Sequence, residues 1–295
     1  MSHQIPRVAL VTCSYAPDFE RCKRLCASMD AWLDATMQHR VVVPGRDIPL
    51  FRCLASTHRR IVAVEDVLPA RFLQLPISNR WWLGQTGRPV RGWIMQQLTK
   101  LSADRVTGAE HIVFVDSDLV FLRPLSHAAI LRDNRLRLHR IPGAKDNGLH
   151  LRWHHRAAEL LGTTPRYFGS DYIGQLITWR RSRLKGLHEH IENAQGRPWY
   201  EGVAHSLQIS EYILYGAYVD AILGPAASGH YDTADDLCHC CWFPDEAEAL
   251  ASGQDTLRKG AFALLLQSNL GLSNAEELAI VKRVLSPNAC HLEAC

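Results

Sequence analysis

His111-Ile-Val-Phe-Val-Asp116-Ser-Asp118-Leu-Val-Phe-Leu-Arg-Pro124 sets two carboxylates between two apolar runs. Residues 112–115 are apolar and mostly β-branched, the composition of a strand buried on both faces. Residues 119–122 form a second such run. An isolated Asp-x-Asp also reads as a solvated Asx turn. Flanked this closely by strands it points to a bound cation, because unpaired buried charge is costly. Carboxylates one residue apart at a strand end can share a hard divalent metal, which in turn can hold a diphosphate.

Upstream of this stretch, residues 7–12 and 60–64 read as strands, as do residues 39–43, which Pro44-Gly45 stops. Phe19, Cys22, Cys26, Met29 and Leu33 recur at spacings of three and four, the stripe of an amphipathic helix. Strands and helices in this order predict an α/β domain with a mixed, largely parallel sheet flanked by helices. Ligands of such sheets bind outside the carboxyl ends of the strands, where Thr12, Ser14, Tyr15 and Asp116 fall. Residues 92–103 predict the helix just before the Asp-Ser-Asp strand, with Ile94, Leu98 and Leu101 as its apolar face. Gln96 and Lys100 share another face with Gln97 beside it, from which Lys100 could reach a phosphate; a solvated polar face is the plainer reading.

Downstream, residues 134–166 are rich in arginine, histidine and glycine, which predicts substrate loops. Residues 172–179 read as a strand interrupted by Gly174. Residues 182–193 and 203–219 read as helices, the second carrying Glu211 among Ile209, Tyr212, Ile213 and Leu214. An apolar setting raises the pKa of a buried carboxyl. Ser273 with Glu276 three residues later is a capping box, predicting a helix to Leu285 and a frayed tail from Ser286. The division expected is two halves, residues 1–125 ending in the Asp-Ser-Asp motif and residues 126–295.

The whole chain has 295 residues, 47% hydrophobic and 21% charged, with a net charge of +3. These values fit an ordinary globular protein with ample core and show no nucleic-acid footprint. No apolar run nears the roughly 20 residues of a membrane span, and residues 1–7 lack a signal core. Nine cysteines in no regular framework suit a reducing compartment, and the expected location is the cytoplasm.

Taken together, Val11-Thr-Cys-Ser-Tyr15, Gly92-Trp-Ile-Met-Gln-Gln-Leu-Thr-Lys-Leu101, Val115-Asp-Ser-Asp118, Ser210-Glu-Tyr-Ile-Leu-Tyr-Gly216 and Leu237-Cys-His239 give the chain its resemblance. It resembles the nucleotide-sugar-dependent glycosyltransferases of the GT-A fold, nearest a bacterial polysaccharide-synthesis group. The resemblance implies that Thr12, Ser14 and Tyr15 hold the nucleoside of a UDP- or GDP-linked donor; the place of their helix just before the Asp-Ser-Asp strand makes Gln97 and Lys100 further donor-pocket candidates. The resemblance implies Mn²⁺ or Mg²⁺ on Asp118, with Asp116 facing the ribose or a metal-bound water and His239 as a further ligand. It also implies Glu211 as the base that deprotonates a carbohydrate or glycoconjugate acceptor. The thiols around His239 depart from that pattern.

Two other readings use the same residues. A Mg²⁺-dependent phosphohydrolase of the haloacid dehalogenase type also ends a strand in Asp-x-Asp, but near its start and before Gly-Thr, where this chain has Leu119-Val120. A non-catalytic zinc or nucleotide-binding module would centre on Cys238-His-Cys-Cys241, for which no partner ligand pair exists.

Overall fold

The structure, a computed structural model, describes residues 8–34, 36–75, 81–84 and 87–285; the start of the chain and the tail from Ser286 lie outside these. In chain order the elements that matter here begin with β1 (Val8–Cys13), α1 (Phe19–Trp32), β2 (Gln38–Val43) and β3 (Arg59–Ala63). Next come α2 (Gly92–Leu101), β4 (His111–Phe114), β5 (Leu119–Phe121), β6 (Arg135–His139) and α3 (Gly148–Leu160). They are followed by β7 (Ile177–Arg180), α4 (Arg181–Gln195), α5 (Trp199–Ala204) and α6 (Glu211–Ala217). The last are β8 (His230–Thr233), β9 (Cys238–Cys241), β10 (Ala263–Leu266) and α7 (Asn274–Leu285).

The central sheet runs β7-β4-β1-β2-β3, parallel except where β7 pairs antiparallel with β4. The fold is therefore the α/β class expected, with a largely parallel sheet and flanking helices. Its strand β4 is buried on both faces, as its composition predicts. Ile112 and Phe114 join the core beneath α2, α4 and α6, while Val113 and Val115 join the opposite core with Leu25 and Met29 of α1. A second sheet, β9-β10-β5, holds the other apolar run of the opening stretch. Asp116-Ser-Asp118 is the link between the two sheets. β7 and β10 both come from the second half of the chain, so the two halves interleave in these sheets.

Several expectations change. The helix expected over residues 203–219 is two helices, α5 and α6, separated by residues 205–210. Ser210 breaks the run by capping α6, its hydroxyl accepting from the Ile213 amide at 3.4 Å. Glu211 thus opens a helix rather than sitting inside one. Of the strand expected over residues 172–179, only Ile177 onward pairs with β4. Leu176 just before it takes a left-handed φ of 53°, which turns the backbone out of the ladder. Residues 134–166 carry β6 and α3 rather than loops alone. Their apolar face was hard to see because α3 buries it with His154, Ala157, Ala158 and Leu160. The Ser273–Glu276 capping box forms, with the Ser273 amide donating to Glu276 Oε2 at 2.7 Å and the Glu276 amide to Ser273 Oγ at 3.3 Å.

α6 is seated on an aromatic cluster. Trp179 stacks on Tyr215 at 4.5 Å and meets Phe114 edge-on at 4.5 Å. Gly216 lets Tyr172 lie directly against the helix, since a Cβ there would overlap the Tyr172 ring. Tyr172 cannot yield, being buried with its hydroxyl donating to Asp220 Oδ2 at 2.7 Å. Gly216→Ala should therefore lower stability by about 1–3 kcal/mol, the usual penalty for overpacking, read as a fall in urea midpoint at unchanged slope.

Candidate functional site

Lys100, in the last turn of α2, is 4% exposed, and four groups meet there. Its Nζ lies 3.1 Å from Asp116 Oδ1 and 3.2 Å from Glu211 Oε1, and donates to the Tyr212 hydroxyl at 2.8 Å. The ammonium also sits 4.5 Å from the centre of the Tyr212 ring. Three elements deliver these groups: α2, the carboxyl end of β4, and the start of α6. Burial alone would lower the Lys100 pKa, but Asp116, Tyr212 and Glu211 together outweigh it and hold the group well above its usual value. Burial raises Glu211, with Lys100 opposing. One cation is thus shared between two carboxylates and a phenol.

Two amide side chains brace the arrangement. Gln97, one turn before Lys100, accepts from the Glu211 backbone amide at 3.0 Å, satisfying one of the free N–H groups at the start of α6. Gln175 donates to Asp116 Oδ2 at 3.1 Å. Sequence reasoning singled out Gln97, Lys100, Asp116 and Glu211, and the structure brings all four together. It passed over Gln175 and Tyr212. For Gln175 the signal was a lone amide in an apolar run beside Gly174.

Asp118 faces away from this cluster, toward the second sheet. Its Oδ2 accepts from the Ser268 amide at 3.0 Å and its carbonyl accepts from the Leu266 amide at 3.3 Å. Burial, then the neighbouring Asp116, push its carboxyl up to about 7. An all-oxygen pair under mutual repulsion is a donor set that suits a hard divalent cation, whose charge would remove the penalty. His239 is not gathered with it: among the described residues no three His, Cys, Asp or Glu side chains form a metal-holding group. His239 Nδ1 accepts from the Arg258 amide at 2.9 Å. In the neutral ring this leaves the proton on Nε2, a donor rather than a ligand.

The other expected residues lie around the carboxyl end of β1. Thr12 is fully buried, its hydroxyl 3.0 Å from His39 Nε2, and Arg59 Nε donates to His39 Nδ1 at 3.0 Å. Ser14 is also buried, its amide donating to the Val42 carbonyl at 3.0 Å. Tyr15 is exposed. A cavity of about 430 Å³ opens beyond it, between residues 16–21 and residues 272–274. It lies beside the loop and not over Lys100. Cys238 and Cys241 are core residues of β9, and burial pushes the Cys241 thiol up to about 12.

The chain matches over residues 4–285, and belongs to, a family of unknown function, DUF6492. No curated protein matches it. Among solved structures it is similar to the galactosyltransferase LgtC in complex with donor and acceptor sugar analogues, at 11% identity and a TM-score of 0.44, covering 92% of this chain and 95% of that one. It is also similar to the bifunctional glycosyltransferase WbbM, at 9% identity and a TM-score of 0.48, covering 96% of this chain but only 50% of WbbM.

The raised Asp118 carboxyl gives a prediction with a definite sign. An acid whose folded pKa lies above its unfolded value makes the folded state bind the extra proton, so stability falls as pH rises from about 4 toward 7. With chelator present, Asp118→Asn should raise the melting temperature at pH 8, raise it less at pH 5, and leave it nearly unchanged at about pH 3, below the carboxyl's pKa in both the folded and the unfolded state. Equal shifts at all these pH values would place the effect elsewhere.

Proposed function

We propose that this member of the family transfers a sugar from a nucleotide-sugar donor to a hydroxyl of a carbohydrate or glycoconjugate acceptor. The observation that supports it is the buried Lys100 ammonium shared by Asp116 and Glu211 at the carboxyl end of β4, where ligands of parallel sheets bind. In this reading the nucleoside lies by Tyr15 and the cavity beyond it, with the buried Thr12 and Ser14 shaping the loop. Mn²⁺ or Mg²⁺ held by Asp118, with Asp116 facing a metal-bound water, would act as a Lewis acid on the departing diphosphate.

Within the chain's own chemistry, Lys100 is a fixed positive charge beside that diphosphate. Glu211 takes the acceptor proton, and burial favours its protonated form. When Glu211 becomes neutral, Lys100 keeps Asp116 as its counter-charge, so proton transfer does not strand a buried cation. Gln175 and Gln97 fix Asp116 and the start of α6 while this happens.

The phosphohydrolase reading needs Asp116 free to attack phosphorus, yet Lys100 and Gln175 engage both its oxygens. The zinc reading needs thiolates, which burial of Cys238 and Cys241 disfavours.

A thermal-shift panel of nucleoside diphosphates tests the proposal. One of UDP or GDP should stabilise the protein in the presence of Mn²⁺, and Asp118→Ala should remove that stabilisation. Full Mn²⁺-dependent stabilisation in the variant, or no response to any nucleotide, would overturn the reading. Separately, Glu211→Gln should spare nucleotide binding while cutting turnover by about two to four powers of ten, the worth of a general base. A product that keeps the donor's anomeric configuration would remove the need for that base.

A further inference from the structure

We infer that Trp93 and Trp153 form a stacking platform for a pyranose ring of the acceptor, a subsite that rests on the transferase reading above. Trp93 is on α2 and Trp153 on α3; their rings lie 5.8 Å apart at 33°. Trp93 is 36% exposed, so part of its ring is open to a ligand. His150 extends the platform, its ring 4.8 Å from that of Trp153.

Position ties the platform to Lys100. Trp93, Gln97 and Lys100 are spaced i, i+4 and i+7, so they line one face of α2, with Trp93 roughly 10 Å along the axis from Lys100. The other members lead to the same place. Trp153 Nε1 donates to Gln208 Oε1 at 3.3 Å, and Gln208 lies three residues before Glu211. His150 Nδ1 is 3.5 Å from Asp171 Oδ1, and Asp171 lies four residues before Gln175, which holds Asp116. Aromatic faces rimmed by an imidazole, a carboxylate and an amide suit a sugar, which offers C–H groups on one face and hydroxyls at its edge. The ring that fits is one whose axial C–H groups gather on one face, as they do in the β-gluco and β-galacto configurations. A protein partner would need about 800 Å² on each side, far more than these rings provide.

Saturation-transfer NMR with cellobiose and lactose tests this, with UDP and GDP binding in Mn²⁺ followed in parallel. The axial ring protons should receive the strongest transfer. Trp93→Ala should weaken disaccharide binding about 3- to 10-fold, the worth of one lost aromatic contact, while the nucleotide response is unchanged. Trp153 packs against the core, so Trp153→Phe is the second variant and should retain most of the binding that the smaller Trp153→Ala loses. Nucleotide binding with no disaccharide binding, or disaccharide binding indifferent to Trp93→Ala, would overturn the platform. Tryptophan-dependent disaccharide binding with no response to any nucleotide would uphold the sugar site and overturn only the transferase reading.

Discussion

A single ammonium held between two carboxylates sets the terms for the rest of the molecule. Lys100 is almost wholly buried, and charge in such a place persists only if every partner is in position. Asp116 must arrive from the end of β4, Glu211 from the start of α6, and the Tyr212 hydroxyl from the next residue. The aromatic cluster of Phe114, Trp179 and Tyr215, and the contact of Tyr172 with Gly216, fix where α6 begins. Packing that resembles ordinary core is therefore what gives the polar cluster its geometry.

The two aspartates of the opening stretch divide the labour between two environments. Asp116 is balanced by Lys100 and braced by Gln175, whereas Asp118, among the described residues, has backbone donors and the like charges of Asp116 and Asp18. A residue between them, Ser117, separates a satisfied carboxylate from a strained one. The strained one faces the junction of the sheets and is the natural place for positive charge brought by a ligand.

The fold class was legible because β4 and its neighbours are written in β-branched residues, and buried parallel strands need little else. Of the site, the residues with an unusual setting could be read: carboxylates ending an apolar strand, and a glutamate among isoleucines and leucines. Tyr212 could not, and the lone amide of Gln175 was a faint signal, because a neutral amide or phenol takes on a role only through its partner's position. The misread elements share a cause. Residues 203–219 are apolar at helical spacing throughout, and only the Ser210 cap divides them. α3 hides because alanine and a buried histidine stand where leucines would mark a core face. His239 carried the right residue type, but its tautomer is set by the Arg258 amide, a contact 19 residues away in sequence.

The interleaving of the two halves bears on how the protein is made. β5 finds its partner only when β10 has been synthesised, and Asp118 receives its backbone donor only with Ser268. Lys100 likewise waits for Glu211 to leave the ribosome. Until then the nascent chain carries an unfinished charge cluster and the unpaired edge of β5, the kind of surface that recruits chaperones or aggregates. The two sheets and the charge cluster therefore close only once residues 177–268 have joined the amino-terminal half.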